Sequence, residues 1–142
     1  MNYQMEVISG EEYKTWFNQH AQTLRHSAPF HHPAWLETSA QGVGFKDVYI
    51  GLYEKGDLVG VMPGYLTRRG PVRVFGSPLR GTMTSYLGPV GLDLDDTPEE
   101  MVELIKQCTL FIRKQWHVQY ARFTLRNAPA GGKLKMASDW KQ

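Results

Sequence analysis

The chain has 142 residues, 42% hydrophobic and 21% charged, with a formal charge of +2 and one cysteine, Cys108. These values describe one domain with a sizeable core and exclude wholesale disorder, an internal disulfide and a binder of nucleic acid driven by net charge alone. A reducing compartment fits the single cysteine. The first residues lack a basic region followed by an apolar run, and no apolar stretch approaches the ~20 residues that span a bilayer, so a cytoplasmic chain without membrane insertion is expected.

Val7-Ile8 reads as a short strand. Ser9 and Glu12 then have the spacing of a capping box, which predicts a helix to about Leu24 that buries Tyr13, Trp16, Phe17 and Leu24. Pro29-Phe-His-His-Pro breaks the chain, and Pro33 suits the first turn of a short helix carrying Ala34, Trp35 and Leu36. Gln41-Gly-Val-Gly reads as a turn. From Asp47 to Glu54 the residues alternate, with Val48, Ile50 and Leu52 on one side and Tyr49 and Tyr53 on the other, as in a strand with one face on the core. Lys55-Gly56 is a hairpin turn, and Leu58–Leu66 returns as its partner strand, where Pro63 predicts a bulge or an edge. A further turn at Arg68-Arg-Gly-Pro precedes a strand over Val72–Phe75.

Thr97 has the character of a helix cap, with Pro98, Glu99 and Glu100 suiting the first turn. Met101, Leu104, Ile105, Cys108, Phe111, Ile112 and Trp116 recur at helical spacing, forming one apolar face on which Cys108 is packing and not a nucleophile. A strand over Val118–Leu125 follows, and residues 127–142 read as a polar tail or linker. The order predicts an α+β domain built on a mainly antiparallel sheet with helices packed on it.

Two segments do not reduce to elements. Ser77–Val90 holds two prolines, two glycines, four hydroxyls, Arg80 and Tyr86 between two strands, where connections usually run about 4–6 residues. One reading makes it a substrate groove, with Arg80 pairing a phosphate or carboxylate and Ser77, Thr82, Thr84, Ser85 and Tyr86 contributing hydroxyls. The other makes it a structural crossover whose hydroxyls satisfy local backbone. The second segment, Ser27–Glu37, carries His31 and His32. With His26 they invite a metal reading, but adjacent histidines do not readily share one ion and no cysteine lies nearby, so packing and local hydrogen bonding are expected, with no metal. Either could be a general base, but no nucleophile is placed beside them, and no catalytic residue is assigned. The aromatics Trp16, Trp35, Tyr49, Tyr53 and Trp116 sit at core positions before they suggest stacking on a ligand.

Pro29-Phe-His-His-Pro-Ala-Trp-Leu, Leu52-Tyr-Glu-Lys-Gly-Asp-Leu-Val-Gly-Val-Met-Pro, Gly76-Ser-Pro-Leu-Arg-Gly and Tyr86-Leu-Gly-Pro-Val together resemble the amino-terminal half of FemAB-like proteins, within the GNAT acyltransferase superfamily. That group includes peptidoglycan-bridge aminoacyltransferases and acetyltransferase-like proteins of exopolysaccharide and cellulose clusters. The resemblance spans Phe30 to Leu125. It implies a GNAT-like domain over residues 1–142, the first of two tandem halves, with Asp139-Trp-Lys-Gln as the lead-in to the second. It also implies transfer of an acyl or aminoacyl group to an amine of a cell-envelope or polysaccharide precursor, incomplete without the second half. In the whole protein the donor would be acyl-CoA or aminoacyl-tRNA, and tRNA would be the sole nucleic-acid partner. No cofactor site is evident in this chain, because Asp93-Leu-Asp-Asp before Thr97 replaces the glycine-rich turn that holds a pyrophosphate on free amides and the positive end of a helix. Arg68, Arg69, Arg73 and Arg80 fit either a patch for tRNA, a lipid-linked pyrophosphate or CoA phosphates, or simply a solvated turn. The alternative to an acyltransferase is a non-catalytic GNAT-like binding or interaction module.

Overall fold

In a computed structural model, which describes residues 3–20, 29–79, 81–84, 87–92, 98–125 and 133–135, the chain opens with strand β1 (Gln4–Ile8) and helix α1 (Gly10–His20). The capping box forms as its spacing predicts. The Glu12 amide donates to Ser9 Oγ and the Ser9 amide to Glu12 Oε1, both at 3.1 Å. Tyr13, Trp16 and Phe17 are buried, while the predicted continuation to Leu24 lies outside the described residues.

A 3-10 turn (Pro29–His31) leads into α2 (Pro33–Val43), which is longer than the short helix expected. The Ala34 amide donates to the His32 ring at 3.1 Å, Pro33 takes the first position, and Leu36 and Ala40 are buried one turn apart. The predicted turn at Gln41–Gly44 is therefore helical through Val43. Only Gly44 leaves the helix, its amide directed at the Ala40 and Gln41 carbonyls. Burial of the Leu36–Ala40 stripe outweighs the cost of Gly42 in a helix, about 1 kcal/mol.

Strands β2 (Lys46–Glu54) and β3 (Asp57–Arg69) pair antiparallel across Lys55-Gly56, whose φ values of 52° and 85° are those of a tight primed hairpin turn. Next come β4 (Val72–Ser77), α3 (Pro98–Trp116), β5 (Tyr120–Thr124) and β6 (Lys133–Lys135). The Thr97 cap lies outside the described residues. Among these, one six-stranded sheet runs β1-β2-β3-β4-β5-β6, antiparallel except for β4 and β5, which α3 joins as a parallel pair. Strand β6 falls inside the stretch read as a polar tail and pairs with β5 through Arg122–Lys135 and Thr124–Lys133.

Pro63 lies neither on an edge nor at a bulge. The register shift sits at Leu52/Tyr53, and Pro63 faces Tyr49 within a central strand. A strand residue turns its nitrogen and carbonyl to the same side. The Pro63 carbonyl accepts from Ser77 Oγ at 2.7 Å, so its donor-less nitrogen faces the β4 side, where β4 ends at Ser77.

Both faces of the sheet are buried, not one. Val48, Ile50, Leu52, Met62, Phe75 and Phe123 pack under Leu104, Ile105, Cys108 and Ile112 of α3. On the other face Tyr49, Val61, Tyr65 and Val74 meet Tyr13, Trp16 and Phe17 of α1 and Leu36 and Ala40 of α2. The result is three layers, with the apolar α3 face read from sequence forming one of two cores.

Candidate functional site

The two segments that sequence reading set apart meet in space. His31 is 2% exposed, and its Nε2 lies 3.1 Å from the Gly88 carbonyl. Trp35 Nε1 donates to Thr84 Oγ1 at 2.8 Å, and Tyr13 OH donates to the His31 carbonyl from below. The Phe-His-His-Pro-Ala-Trp run thus works as a clamp: His31 holds the β4–α3 connection near its middle at Gly88, Trp35 holds it earlier at Thr84, and His32 caps the helix that carries Trp35. Burial drives the His31 pKa down from 6.5 to about 4, so the ring is neutral and serves as a fixed hydrogen-bonding group. Its carbonyl partner Gly88 has φ 91°, and a Cβ there would lie 2.4 Å from Leu125 Cδ2, so no larger residue fits this anchor point.

Beyond Ser77 the chain turns away through a cis Ser77-Pro78 bond and Leu79 folds back over Gly76. The segment then returns alongside the sheet. Leu87 donates to the Thr124 carbonyl at 2.9 Å, and Val90 exchanges two backbone hydrogen bonds with Val61, at 2.9 and 3.0 Å. This path occupies the carboxyl ends of the parallel pair β4/β5, the place where open sheets present ligand-binding loops.

The sequence-selected residues of this segment divide into two sets. Ser77 is fully buried; its hydroxyl donates to Pro63 and accepts from the Gly88 amide at 3.0 Å. Thr82, also buried, donates to the Leu79 carbonyl at 2.7 Å, and half-buried Thr84 donates to the Thr82 carbonyl at 3.1 Å while accepting from Trp35. These three hydroxyls shape the segment. Arg80, Ser85 and Tyr86 lie outside the described residues, as does Asp93–Thr97.

A residue that sequence reading passed over is Arg122, taken there only as part of a strand. It pairs in register with Gly76 on β4 and with Lys135 on β6, and its buried Nε has no hydrogen-bond partner among the described residues. An orphaned buried donor of this kind calls for an acceptor. No local motif marks it, because the residues around it come from three strands.

A polar cleft of about 420 Å³ opens on the opposite side of the clamp, between the starts of α1 and α2, with Lys14, Asn18, His32, Glu37, Asp47 and Tyr49 in its lining. Tyr49 OH donates to Asp47 Oδ2 at 2.7 Å. Burial, then the bonded Asp47 carboxylate, raise the Tyr49 pKa, so the phenol stays protonated and orients the carboxylate. Among the described residues Glu11, Glu37 and Asp47 line the cleft against one lysine, Lys14, a balance that favours a cationic group. Among the described residues no group of three metal-ligating side chains occurs. No helix of the described residues is long and apolar enough to cross a membrane.

No family profile and no curated protein matches the chain by sequence. A crystal structure of FemX is similar in fold, with a TM-score of 0.54 and 11% sequence identity, over 85% of this chain and 27% of that one. The likeness shows a FemX-like, GNAT-like α+β fold, and this chain spans about a quarter of the FemX chain.

Proposed function

We propose that this chain is a Fem-type domain that forms the acceptor side of an N-acyltransferase, presenting an amine of a cell-envelope or polysaccharide precursor for acylation. The observation that carries this reading is the carboxylate-lined cleft beside the clamp. An amine is an ammonium ion at neutral pH, and Glu37 and the Tyr49-oriented Asp47 offer it charge-assisted hydrogen bonds. Lys14 and Asn18 would orient a neighbouring carbonyl or carboxylate of the same acceptor. Deprotonation of the amine and stabilisation of the oxyanion fall to groups beyond those described, with an acyl-CoA or aminoacyl-tRNA donor held by the second half that the resemblance implies.

A lysine-bearing stem peptide should shift the amide resonances of His32, Glu37 and Asp47 saturably, and its Nε-acetylated form should not. Glu37→Gln with Asp47→Asn should weaken binding about tenfold, the scale of one charge-assisted hydrogen bond. Equal binding of free and acetylated peptides would remove the acceptor reading. The internal engagement of the Ser77, Thr82 and Thr84 hydroxyls favours a second reading, a non-catalytic binding module. A mass gain on the peptide in the presence of acyl-CoA or aminoacyl-tRNA supports transfer. Saturable binding without transfer, by protein that includes the second half, supports the module.

A further inference from the structure

At the other end of the parallel pair, where β4 and β5 begin and α3 ends, the fold gathers cations from three elements. Arg68 and Arg69 come from β3, Arg73 from β4, and Arg113 and Lys114 from the last turn of α3. The whole chain carries +2, so five of its sixteen lysines and arginines at one pole leave the remainder net acidic. Among the described residues no carboxylate pairs with Arg68, Arg69, Arg113 or Lys114.

Arg68 and Arg73 stand directly opposite each other across the antiparallel ladder, an arrangement that repels unless something anionic lies between. Arg73 is anchored: one amino group donates to the Trp116 carbonyl at 3.0 Å, and its amide donates to Gln119 Oε1 at 2.7 Å. Between the two arginines opens a cleft of about 210 Å³ with an apolar floor of Leu66, Trp116 and Val118 and no carboxylate among the described residues of its lining. Arg113, Lys114 and His117 line the adjoining cleft, which shares Val118 and again holds no carboxylate among its described residues. Cations at a helix carboxyl end complement its dipole, which accounts for Arg113 and Lys114. That explanation does not reach Arg68, which sits on a strand and whose side chain has no hydrogen-bond or ion-pair partner among the described residues.

We propose that this cleft binds a phosphate monoester, its phosphate forked between the Arg68 and Arg73 guanidinium groups and its apolar or aromatic part resting on Trp116 and Val118. Guanidinium presents paired donors that match phosphate oxygens, and the remaining donors of Arg73 stay available while one holds Trp116. The apolar floor selects an organic phosphate over bare phosphate. This site is separate from the amine cleft and does not rest on the acyl-transfer reading.

Phenyl phosphate and inorganic phosphate are titrated separately while the Trp116 indole and the Arg68 and Arg73 amides are followed by NMR. The expected result is saturable shifts at all three, with phenyl phosphate at least fivefold tighter. Arg68→Ala should weaken it tenfold or more, Arg68→Lys should fall between, and Lys106→Ala, at an exposed position on α3, should leave the affinity unchanged. Arg68 is exposed, so the unliganded Arg68→Ala protein should melt at or slightly above the wild-type temperature. Equal affinity for the two phosphates, unchanged binding in Arg68→Ala, or a Trp116 response to phosphatidylglycerol vesicles but not to phenyl phosphate would each overturn the proposal.

Discussion

His31 makes folding sensitive to acid. Its ring is 2% exposed and bound at the Gly88 carbonyl, with a folded pKa of about 4 against 6.5 for an open histidine. Between those values the unfolded chain takes up a proton that the folded chain refuses. Stability is therefore fully present above pH 6.5, declines as pH falls towards 4, and stops declining below that. The gap amounts to about 3 kcal/mol. Carboxylates also titrate in this range, so the quantity to measure is a difference. In urea unfolding from pH 7.5 to 4.5, wild type should lose about 2–3 kcal/mol more than His31→Gln, whose amide can donate to the same carbonyl without titrating. Superimposable pH profiles for the two proteins would mean that His31 is not neutral in the folded state. Adjacent His32 is exposed at the start of α2, so the pair that resembled a metal motif holds one buried anchor and one helix cap.

The joint between β3, β4 and the crossing segment depends on a single hydroxyl. Ser77 Oγ satisfies the Pro63 carbonyl and accepts from the Gly88 amide, both where the regular ladder has ended. Ser77→Ala leaves two buried backbone groups unpaired, at about 1–3 kcal/mol each, so a total loss on the order of 3 kcal/mol is expected in denaturant unfolding. A loss below 1 kcal/mol would show that water replaces the hydroxyl and would return Ser77 to the set of ligand-accessible groups. This position also marks a limit of sequence reading. Elements fixed by near neighbours were legible: the Ser9–Glu12 box, the Lys55-Gly56 hairpin and the α3 apolar face each rest on residues within a turn or two of one another. Groups whose role comes from distant partners were not. Ser77 is fixed by residues 14 and 11 positions away, and the end of α2 by burial of Leu36 and Ala40 that outweighs Gly42. Pro63 is accommodated because its neighbour strand stops, which no local pattern announces.

The two cores are not independent, because the same strands form both. Ile50, Leu52 and Met62 point into the α3 core and Tyr49, Val61 and Tyr65 into the α1–α2 core, all of them buried on one continuous pair of strands. Removing α3 would expose one side of β2 and β3 and weaken the backing of the other, so the described layers should unfold together. Cys108 reports on this directly. It is fully buried on α3, and burial pushes its thiol up to about 12, so neither access nor ionisation permits reaction in the folded protein. As the chain's sole cysteine, it gives one labelling signal. At pH 8 its alkylation should be slowed several thousandfold relative to the denatured chain, the protection that about 5 kcal/mol of stability implies. Along a urea series, Cys108 labelling on one face and amide exchange at Val61 on the other should rise at the same concentration. Labelling of Cys108 at lower urea than exchange at Val61 would establish α3 as a unit that opens alone, and the sheet would then be held chiefly by the α1–α2 side that builds the clamp.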